Sequence, residues 1–204
     1  MIWWTRRPSR IQRLRAIDDV ARARCRTRSW AMCRPEFYLG LDNVTQLVVY
    51  TISAYIPRNS TILEIGCGTG RNLAGLKRAG YNFLSGVEIN PAAIMAGRKA
   101  FQELAAVNIE CMPVEDYDIP NTDCIFTQGV LMHLPPSSEF VFERIAKKAR
   151  VLITIENEIH PTDRAWARDY GEIFTGLGLT QFESHTCETW PPLPEETILR
   201  VFAK

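Results

Sequence analysis

The segment EIGCGTG at residues 64–70 constrains this chain more than any other, because three glycines alternate directly after a short apolar run. The apolar run predicts a β-strand, and residues 72–76 have the spacing of a helix. Glycine lacks a Cβ atom, so a glycine-rich turn between a strand and a helix lets the backbone approach a ligand closely. The segment therefore predicts the loop of an α/β protein that binds a nucleotide-like ligand.

An acidic residue follows at the distance that such a loop requires. Glu88 lies 22 residues after Gly66 and ends a second apolar segment, residues 83–87. A carboxylate there is placed to accept hydrogen bonds from both hydroxyls of a ribose. The glycines lack the wider G-x-G-x-x-G gap that brings a pyrophosphate onto a helix N-terminus. The negative charge of Glu64 would also be unfavourable beside a diphosphate. Glu64 instead suits a ligand that carries positive charge.

These motifs and the segment QGVLMHL at residues 128–134 resemble class I S-adenosylmethionine-dependent methyltransferases over about residues 45–204. The resemblance implies S-adenosylmethionine as the cofactor and S-adenosylhomocysteine as its product. It also implies a set of cofactor-binding positions from the first strand to the end of the fourth: Glu64, Gly66, Cys67, Gly68, Gly70, Asn72, Glu88, Ile89, Val114, Glu115, Thr127 and Gln128.

The resemblance assigns a role to several of these positions. Glu64 is expected to hold the methionine end of the cofactor, and Glu88 the ribose. Val114 and Glu115 match the residues that meet the adenine, although Pro113 stands where many relatives have Gly or Asp. At the end of the fourth strand, the family offers a backbone carbonyl to the methionine ammonium.

Predicted strands and helices alternate along the chain, which indicates a parallel sheet with helices on both faces. The last two strands are joined by a loop without helical spacing, which predicts an antiparallel hairpin at the sheet edge. The family resemblance implies the same fold class, a Rossmann-like, seven-stranded, mostly parallel sheet. The predicted strands are 61–65, 82–88, 108–112, 123–127, 150–155, 180–187 and 197–203, and the helices are 43–55, 71–79, 91–106, 138–148 and 163–176.

Length and composition fit one α/β domain of 204 residues, with 46% hydrophobic and 23% charged residues. No apolar run is long enough to predict a membrane span, and the first residues do not read as a signal peptide. The six cysteines lack the C-x-x-C spacing of zinc sites. These features predict a cytoplasmic protein with reduced thiols.

The N-terminal residues carry most of the positive charge. Ten arginines and two aspartates give residues 1–35 a net charge of +8, which leaves −7 for the rest of a chain whose net charge is +1. We therefore divide the chain into an Arg-rich arm and lid at residues 1–42 and a methyltransferase domain at residues 43–204. The arm, with a predicted helix from Ser9, either binds an anion such as nucleic acid or docks on the domain as a solvated helix.

Two histidines are candidates for a general base, which is required only if the acceptor is protonated when it binds. His133 follows the fourth strand, and His160 follows the fifth strand on a loop that is expected to face the substrate. The expected substrate-binding residues lie in the lid and after the fifth strand: Trp30, Tyr38, Glu156 and Asn157.

Missing motifs narrow the acceptor. The end of the fourth strand lacks the Asn/Asp-Pro-Pro-Tyr motif of methyltransferases that act on an amino group of adenine. It also lacks the Pro-Cys pair of the enzymes that methylate cytosine. Gln128 stands at a position where magnesium-dependent methyltransferases of the catechol type have a carboxylate ligand. Segments 62–73, 127–133 and 168–172 are similar to those of small bacterial methyltransferases associated with pseudaminic acid and other surface sugars. We expect metal-free transfer to an oxygen or nitrogen of a small polar acceptor, such as a sugar or sugar nucleotide.

The alternatives are an RNA or protein methyltransferase recruited by the arm, and a non-catalytic cofactor-binding subunit. The oligomeric state stays open.

Overall fold

The computed structural model describes residues 35–159, 165–187, 193 and 196–204. The predicted Ser9 helix, Trp30 and His160 lie outside these residues. The helices are α1 (Glu36–Leu39), α2 (Asp42–Tyr55), α3 (Arg71–Arg78), α4 (Pro91–Ala100), α5 (Phe140–Lys148) and α6 (Tyr170–Gly176). The strands are β1 (Thr61–Ile65), β2 (Phe83–Glu88), β3 (Asn108–Cys111), β4 (Thr122–Gln128), β5 (Ala149–Asn157), β6 (Thr180–Thr186) and β7 (Thr197–Ala203). Short 3₁₀ helices occupy Gln102–Ala106, Leu131–His133 and Pro136–Ser138.

The strands form one seven-stranded sheet in the order β3-β2-β1-β4-β5-β7-β6. Strands β1 to β5 pair in parallel, whereas β7 runs antiparallel to both β5 and β6. The predicted fold class and the antiparallel ending are therefore confirmed. The chain crosses from β1 to β2 on one side and later from β3 to β4 on the other, which opens a crevice at the carboxyl ends of β1 and β4.

Central strands are buried on both faces, so neighbouring residues enter different cores. Ile62 of β1 and Phe126 of β4 pack in one hydrophobic cluster, with α2 and α3. Leu63 and Ile125, their neighbours in the same strands, pack in the other, with α5 and α6. This burial explains why these segments read as continuous apolar runs rather than as alternating patterns.

Helix α4 begins as its sequence predicts. The Asn90 side chain accepts hydrogen bonds from the amides of Ala92 and Ala93 at 3.0 and 3.4 Å, and Pro91 occupies the first helical position. The predicted end of this helix at residue 106 is wrong, because Phe101 is extended and the chain continues as a 3₁₀ turn.

The predicted helix at residues 163–176 is also too long. Residues 165–169 are not helical, and α6 begins only at Tyr170. Asp169 sets this start, because its backbone is extended and its carboxylate accepts a hydrogen bond from the Glu172 amide at 2.9 Å. In the described ranges, no helix has the length and apolar character needed to cross a membrane.

Candidate active site

The glycine loop between β1 and α3 has the backbone that its sequence predicts. Gly66, Gly68 and Gly70 have φ values of 69°, 55° and 71°. This left-handed region is unfavourable for residues with a Cβ atom, which explains the three glycines. The amides of Gly66 and Cys67 both donate to the carbonyl of Val87, at 2.8 and 3.1 Å, so the loop is fixed to β2.

One member of the loop leaves space for a ligand. A Cβ atom on Gly68 would meet no atom within 4 Å, whereas one on Gly66 would lie 2.8 Å from Cγ1 of Val130. Gly68 therefore borders open space on the side of the crevice. The backbone at this point forms a cradle that a larger residue would fill.

Glu64, at the penultimate position of β1, is a buried acid with one free oxygen. Its Oε1 accepts a hydrogen bond from Nδ2 of Asn72 at 2.8 Å, and its Oε2 has no partner among the described residues. Burial raises the pKa of Glu64 to about 8. A carboxyl group of this kind is suited to receive a cationic ligand group, which would satisfy Oε2 and restore the charged form.

Glu88, at the end of β2, connects the two loops around the crevice. Its Oε2 accepts from the Gly68 amide and its Oε1 from the Asn90 amide, both at 2.8 Å. Burial is the main cause that raises the pKa of Glu88, and the backbone donors oppose it. Each carboxylate oxygen has a second lone pair, so the fixed group can still accept from a diol.

Glu156, near the end of β5, holds the loop that follows β4. Its carboxylate accepts from the Val130 amide at 2.9 Å and lies 3.5 Å from the Met132 amide. The side chain is fully buried, which raises its pKa to about 7. This carboxyl group fixes the backbone just before His133.

These elements enclose a cavity of about 480 Å³. Most predicted cofactor positions line it: Glu64, Gly66, Cys67, Gly68, Asn72, Glu88, Ile89, Val114, Glu115 and Gln128. Burial raises the pKa of the Cys67 thiol, which keeps it protonated and unreactive. Glu115 is held in the wall by the Ser138 hydroxyl, which donates to it at 3.0 Å.

Three predicted site residues do not line the cavity. Gly70 faces the protein interior, where an added Cβ would lie 2.8 Å from Leu104. Thr127 is fully buried within β4. Glu156 does not line the cavity and accepts from the amides after β4, so its predicted contact with the substrate stays a prediction. Its side chain anchors a loop.

The remaining described candidates also line the cavity. Tyr38, His133 and Asn157 all contribute to its wall, together with Leu193 and Thr197. Tyr38 comes from the segment before α2, His133 from the loop after β4, and Asn157 from the end of β5. Trp30 and His160 lie outside the described residues, so their predicted roles stay predictions.

Arg71 is a cavity residue that the sequence reading missed. It lies at the start of α3, is 7% exposed, and lines the cavity beside the glycine loop. Its position directly after the third glycine was the available signal in the sequence. Met132, Asn90 and Thr69 also line the cavity, although the sequence assigned them no specific role.

The described residues contain no cluster of three or more His, Cys, Asp or Glu side chains able to hold a metal ion.

Three features of the cavity fit S-adenosylmethionine. The free oxygen of Glu64 suits an ammonium group, the cradle at Gly68 admits a ligand against the backbone, and Glu88 is fixed for a ribose diol.

Comparisons with known proteins agree with this fit. Residues 62–151 match the family described as a methyltransferase domain. EEF1A lysine methyltransferase 2 from Mus musculus is 28% identical over 87 residues, which cover 43% of this chain and 35% of that protein. The chain spans only about a third of the length of the first curated relatives it matches.

Two solved structures share the fold. A TehB-like S-adenosylmethionine-dependent methyltransferase from Corynebacterium glutamicum has a TM-score of 0.61 at 22% identity, covering 77% of this chain and 86% of that one. Magnesium protoporphyrin IX methyltransferase from Synechocystis, with bound S-adenosylhomocysteine, has a TM-score of 0.62 at 17% identity, covering 78% and 82%. Residues 62–151 therefore resemble a methyltransferase domain, and the chain shares the fold of solved S-adenosylmethionine-dependent methyltransferases.

Proposed function

We propose that the whole chain transfers the methyl group of S-adenosylmethionine to an oxygen or nitrogen of a small polar acceptor, without a metal ion. The observation that carries the proposal is the convergence of three features on one cavity of about 480 Å³: the free oxygen of Glu64, the cradle at Gly68 and the fixed carboxylate of Glu88. A sugar or sugar nucleotide is the first acceptor class to test. The likeness to surface-sugar methyltransferases noted in the sequence supports that order.

When bound, S-adenosylmethionine supplies a methyl group already activated by its sulfonium. The residues of this chain then act by binding and orientation, which are worth up to roughly 7–11 kcal/mol for well-aligned reactants. Glu88 fixes the ribose end and Glu64 the methionine end, so the methyl group is directed to the wall between them. Val130, Met132 and Leu193 contribute apolar surface to the cavity.

The acceptor is proposed to bind beside Tyr38, His133 and Asn157, which all line the cavity. His133 is the one histidine in the described part of the cavity wall, and its backbone is fixed through the loop that Glu156 holds. An imidazole there can take a proton from a hydroxyl acceptor. An amine that binds in its neutral form needs no such base.

A protein acceptor is the second candidate. It is favoured by one observation, that curated relatives of the matched segment are named as protein lysine methyltransferases. Under this alternative the Arg-rich arm, outside the described residues, contributes to recruitment. The same alternative covers RNA as an acceptor, which predicts binding that weakens steeply with salt.

Calorimetry with S-adenosylmethionine and S-adenosylhomocysteine tests the cofactor site first. We expect micromolar binding, weakened at least about tenfold by Glu88→Ala, because a charged hydrogen-bond acceptor is lost. The matched control is Glu172→Ala, on the exposed first turn of α6. A folded wild-type protein that binds neither molecule would overturn the proposal.

Transfer assays then separate the acceptor classes. Labelled S-adenosylmethionine is incubated with the protein and with sugar nucleotides, free sugars, lysine-rich proteins or RNA. Transfer to a sugar class with no labelling of protein or RNA supports the proposal. Labelling of protein alone would replace the small acceptor by the second candidate.

A further inference from the structure

Arg168 belongs to segment 168–172, to which the proposed function gives no role. Its side chain is only 6% exposed, and it does not line the cavity. The guanidinium donates to the Leu134 carbonyl at 2.8 Å and to the Leu131 carbonyl at 3.3 Å. Its Nε lies 3.2 Å from Oε1 of Glu139, whose side chain is half-exposed. A buried guanidinium that donates mainly to backbone carbonyls is expected to fix the backbone it contacts.

The loop that follows β4 is held by two buried charged groups of opposite type. Glu156 accepts from the Val130 amide, whereas Arg168 donates to carbonyls of the same loop. A third contact comes from the Trp166 amide, which donates to the Met132 carbonyl at 2.8 Å. Hydrogen bonds with a charged partner are stronger than those between neutral groups. The loop is therefore fixed through both the N–H and the C=O groups of its peptides.

Arg168 is itself held in place by other elements of the fold. Asp169, the next residue, caps α6 through the Glu172 amide and lies 3.3 Å from the Arg200 guanidinium of β7. The Arg168 guanidinium also lies over the Phe142 ring of α5, 5.4 Å from the ring centroid. Two helices and one strand thus determine where this guanidinium stands. Its contact with the loop is a product of core packing.

The loop carries part of the cavity wall. Met132, His133 and Leu134 all line the cavity, whereas Arg168 does not reach it. We propose that Arg168 is a positioning residue for methyl transfer, which holds this loop so that His133 stays at the cavity wall, without touching cofactor or acceptor. The inference rests on the proposed function and gives the arginine of segment 168–172 a role in it. A displacement of about 1 Å at a reacting group can lower turnover about 100-fold, so the position of the loop matters for the rate.

The test follows the His133 ring by NMR in protein labelled at histidine. The chain has three histidines, and the His133 signal is the one that disappears in His133→Asn. In the wild-type protein we expect one sharp signal, which shifts when S-adenosylhomocysteine binds in the same cavity. In Arg168→Met we expect this signal to move or broaden, because the loop loses two hydrogen bonds and samples more than one position.

Calorimetry measures cofactor binding in the same variant. Affinity for S-adenosylhomocysteine is expected to stay within about twofold of the wild type in Arg168→Met, because Arg168 shares no hydrogen-bond partner with Glu64 or Glu88. A change at His133 without a change in this affinity is the signature of positioning. A loss of the His133 signal together with an equal loss of affinity would show a general role in folding and would overturn the inference.

Two matched variants separate the hold on the carbonyls from other effects. Glu139→Gln removes the charge of the half-exposed partner but leaves the carbonyl contacts of Arg168 in place, so it is expected to keep the wild-type His133 signal. Arg58→Met removes an arginine that also donates to a backbone carbonyl, that of Ala79, and lies over a ring, that of Tyr81. Arg58 precedes β1, at the end of that strand away from the cavity, so the signal is expected to stay unchanged.

Turnover gives the second measurement. With the acceptor that the transfer assays label, Arg168→Met is expected to lower kcat about 10- to 100-fold. Arg168→Lys keeps a positive donor that can reach one carbonyl, so its kcat and its His133 signal are expected to lie between those of the wild type and Arg168→Met. Arg168→Lys also decides the question if Arg168→Met does not fold, since wild-type values in it would then overturn the inference.

The outcomes separate this inference from the proposed function. Wild-type protein that does not bind S-adenosylhomocysteine contradicts the proposed function itself. Wild-type protein that binds it, combined with an unchanged His133 signal or an unchanged kcat in Arg168→Met, leaves the cofactor site standing and overturns only the role of Arg168.

Discussion

Gly97 of α4 lies directly against the backbone of Thr69 in the glycine loop. A Cβ atom on Gly97 would stand 2.6 Å from the carbonyl carbon of Thr69 and closer still to its oxygen. Real Cβ atoms do not approach backbone so closely, so one of the two elements would have to move. The absence of a side chain at Gly97 therefore allows α4 to pack directly against the glycine loop.

Gly97→Ala is expected to displace the glycine loop and to weaken S-adenosylhomocysteine binding at least about tenfold, with a loss of roughly 1–3 kcal/mol in unfolding free energy. Calorimetry and urea denaturation measure the two effects. Gly176→Ala is the matched control, because no atom lies within 4 Å of the Cβ it would add. Unchanged binding in Gly97→Ala would show that the loop does not depend on this contact.

Contacts of this kind explain which parts of the site could not be predicted from the sequence. The mostly parallel sheet and its antiparallel ending followed from the alternation of strands and helices and from the non-helical last loop, which are local patterns. The contact between Gly97 and Thr69 depends on how α4 is placed over the loop, and no local pattern encodes it. The same holds for Gly75 of α3, which packs against α2. A Cβ atom added to Gly75 would lie 3.3 Å from Cγ2 of Val49.

Glu156 shows a second limit. The sequence placed it correctly at the carboxyl end of β5, but three polar residues in succession, Glu156, Asn157 and Glu158, gave no pattern to decide which faces the ligand. Alternation along the strand sends Ile155 and Asn157 to the cavity and Glu156 to the amides after β4. Only the neighbouring loop determines that choice, because it offers the donors.

The buried ion pair between Arg200 and Glu158 is expected to be costly to break by removing one partner. Two guanidinium nitrogens reach the two carboxylate oxygens at 2.9 and 2.8 Å, and the Glu158 side chain is 4% exposed. Arg200→Met leaves that carboxylate buried without a cation, which is expected to cost about 3 kcal/mol in urea denaturation. Lys147→Met breaks a pair with 75% and 57% exposed side chains and is expected to change stability by under about 0.5 kcal/mol. Equal losses in the two variants would contradict this difference.

His133→Asn separates a role in chemistry from a role in structure. If the acceptor is a hydroxyl, we expect turnover to fall about 100-fold or more while the affinity for S-adenosylhomocysteine stays within about twofold, because a general base acts only on the acceptor. Steady-state kinetics and calorimetry give the two quantities. A parallel loss of both would mean that His133 supports the loop rather than the reaction.

The last prediction concerns the proton on Glu64. Burial raises the pKa of this carboxyl group to about 8, so at pH 7 the free protein holds it mostly protonated. A raised pKa of an acid contributes stability that is present below its unfolded value of about 4.3 and is lost as pH rises towards 8. The free protein is therefore expected to lose stability across that range, and Glu64→Gln is expected to lose less.

Cofactor binding should reverse this shift, because an ammonium beside Glu64 favours the charged carboxylate. Binding of S-adenosylhomocysteine at pH 7 is then expected to release at least about half a proton and to strengthen between pH 6 and pH 7.5. Calorimetry in buffers of different ionisation enthalpy measures the released proton directly. Glu64→Gln keeps the acceptor oxygen for Asn72 but has no proton to lose, so its binding enthalpy should not vary with the buffer. Proton release that persists in Glu64→Gln would assign the titration to another group and would remove Glu64 from contact with the ammonium.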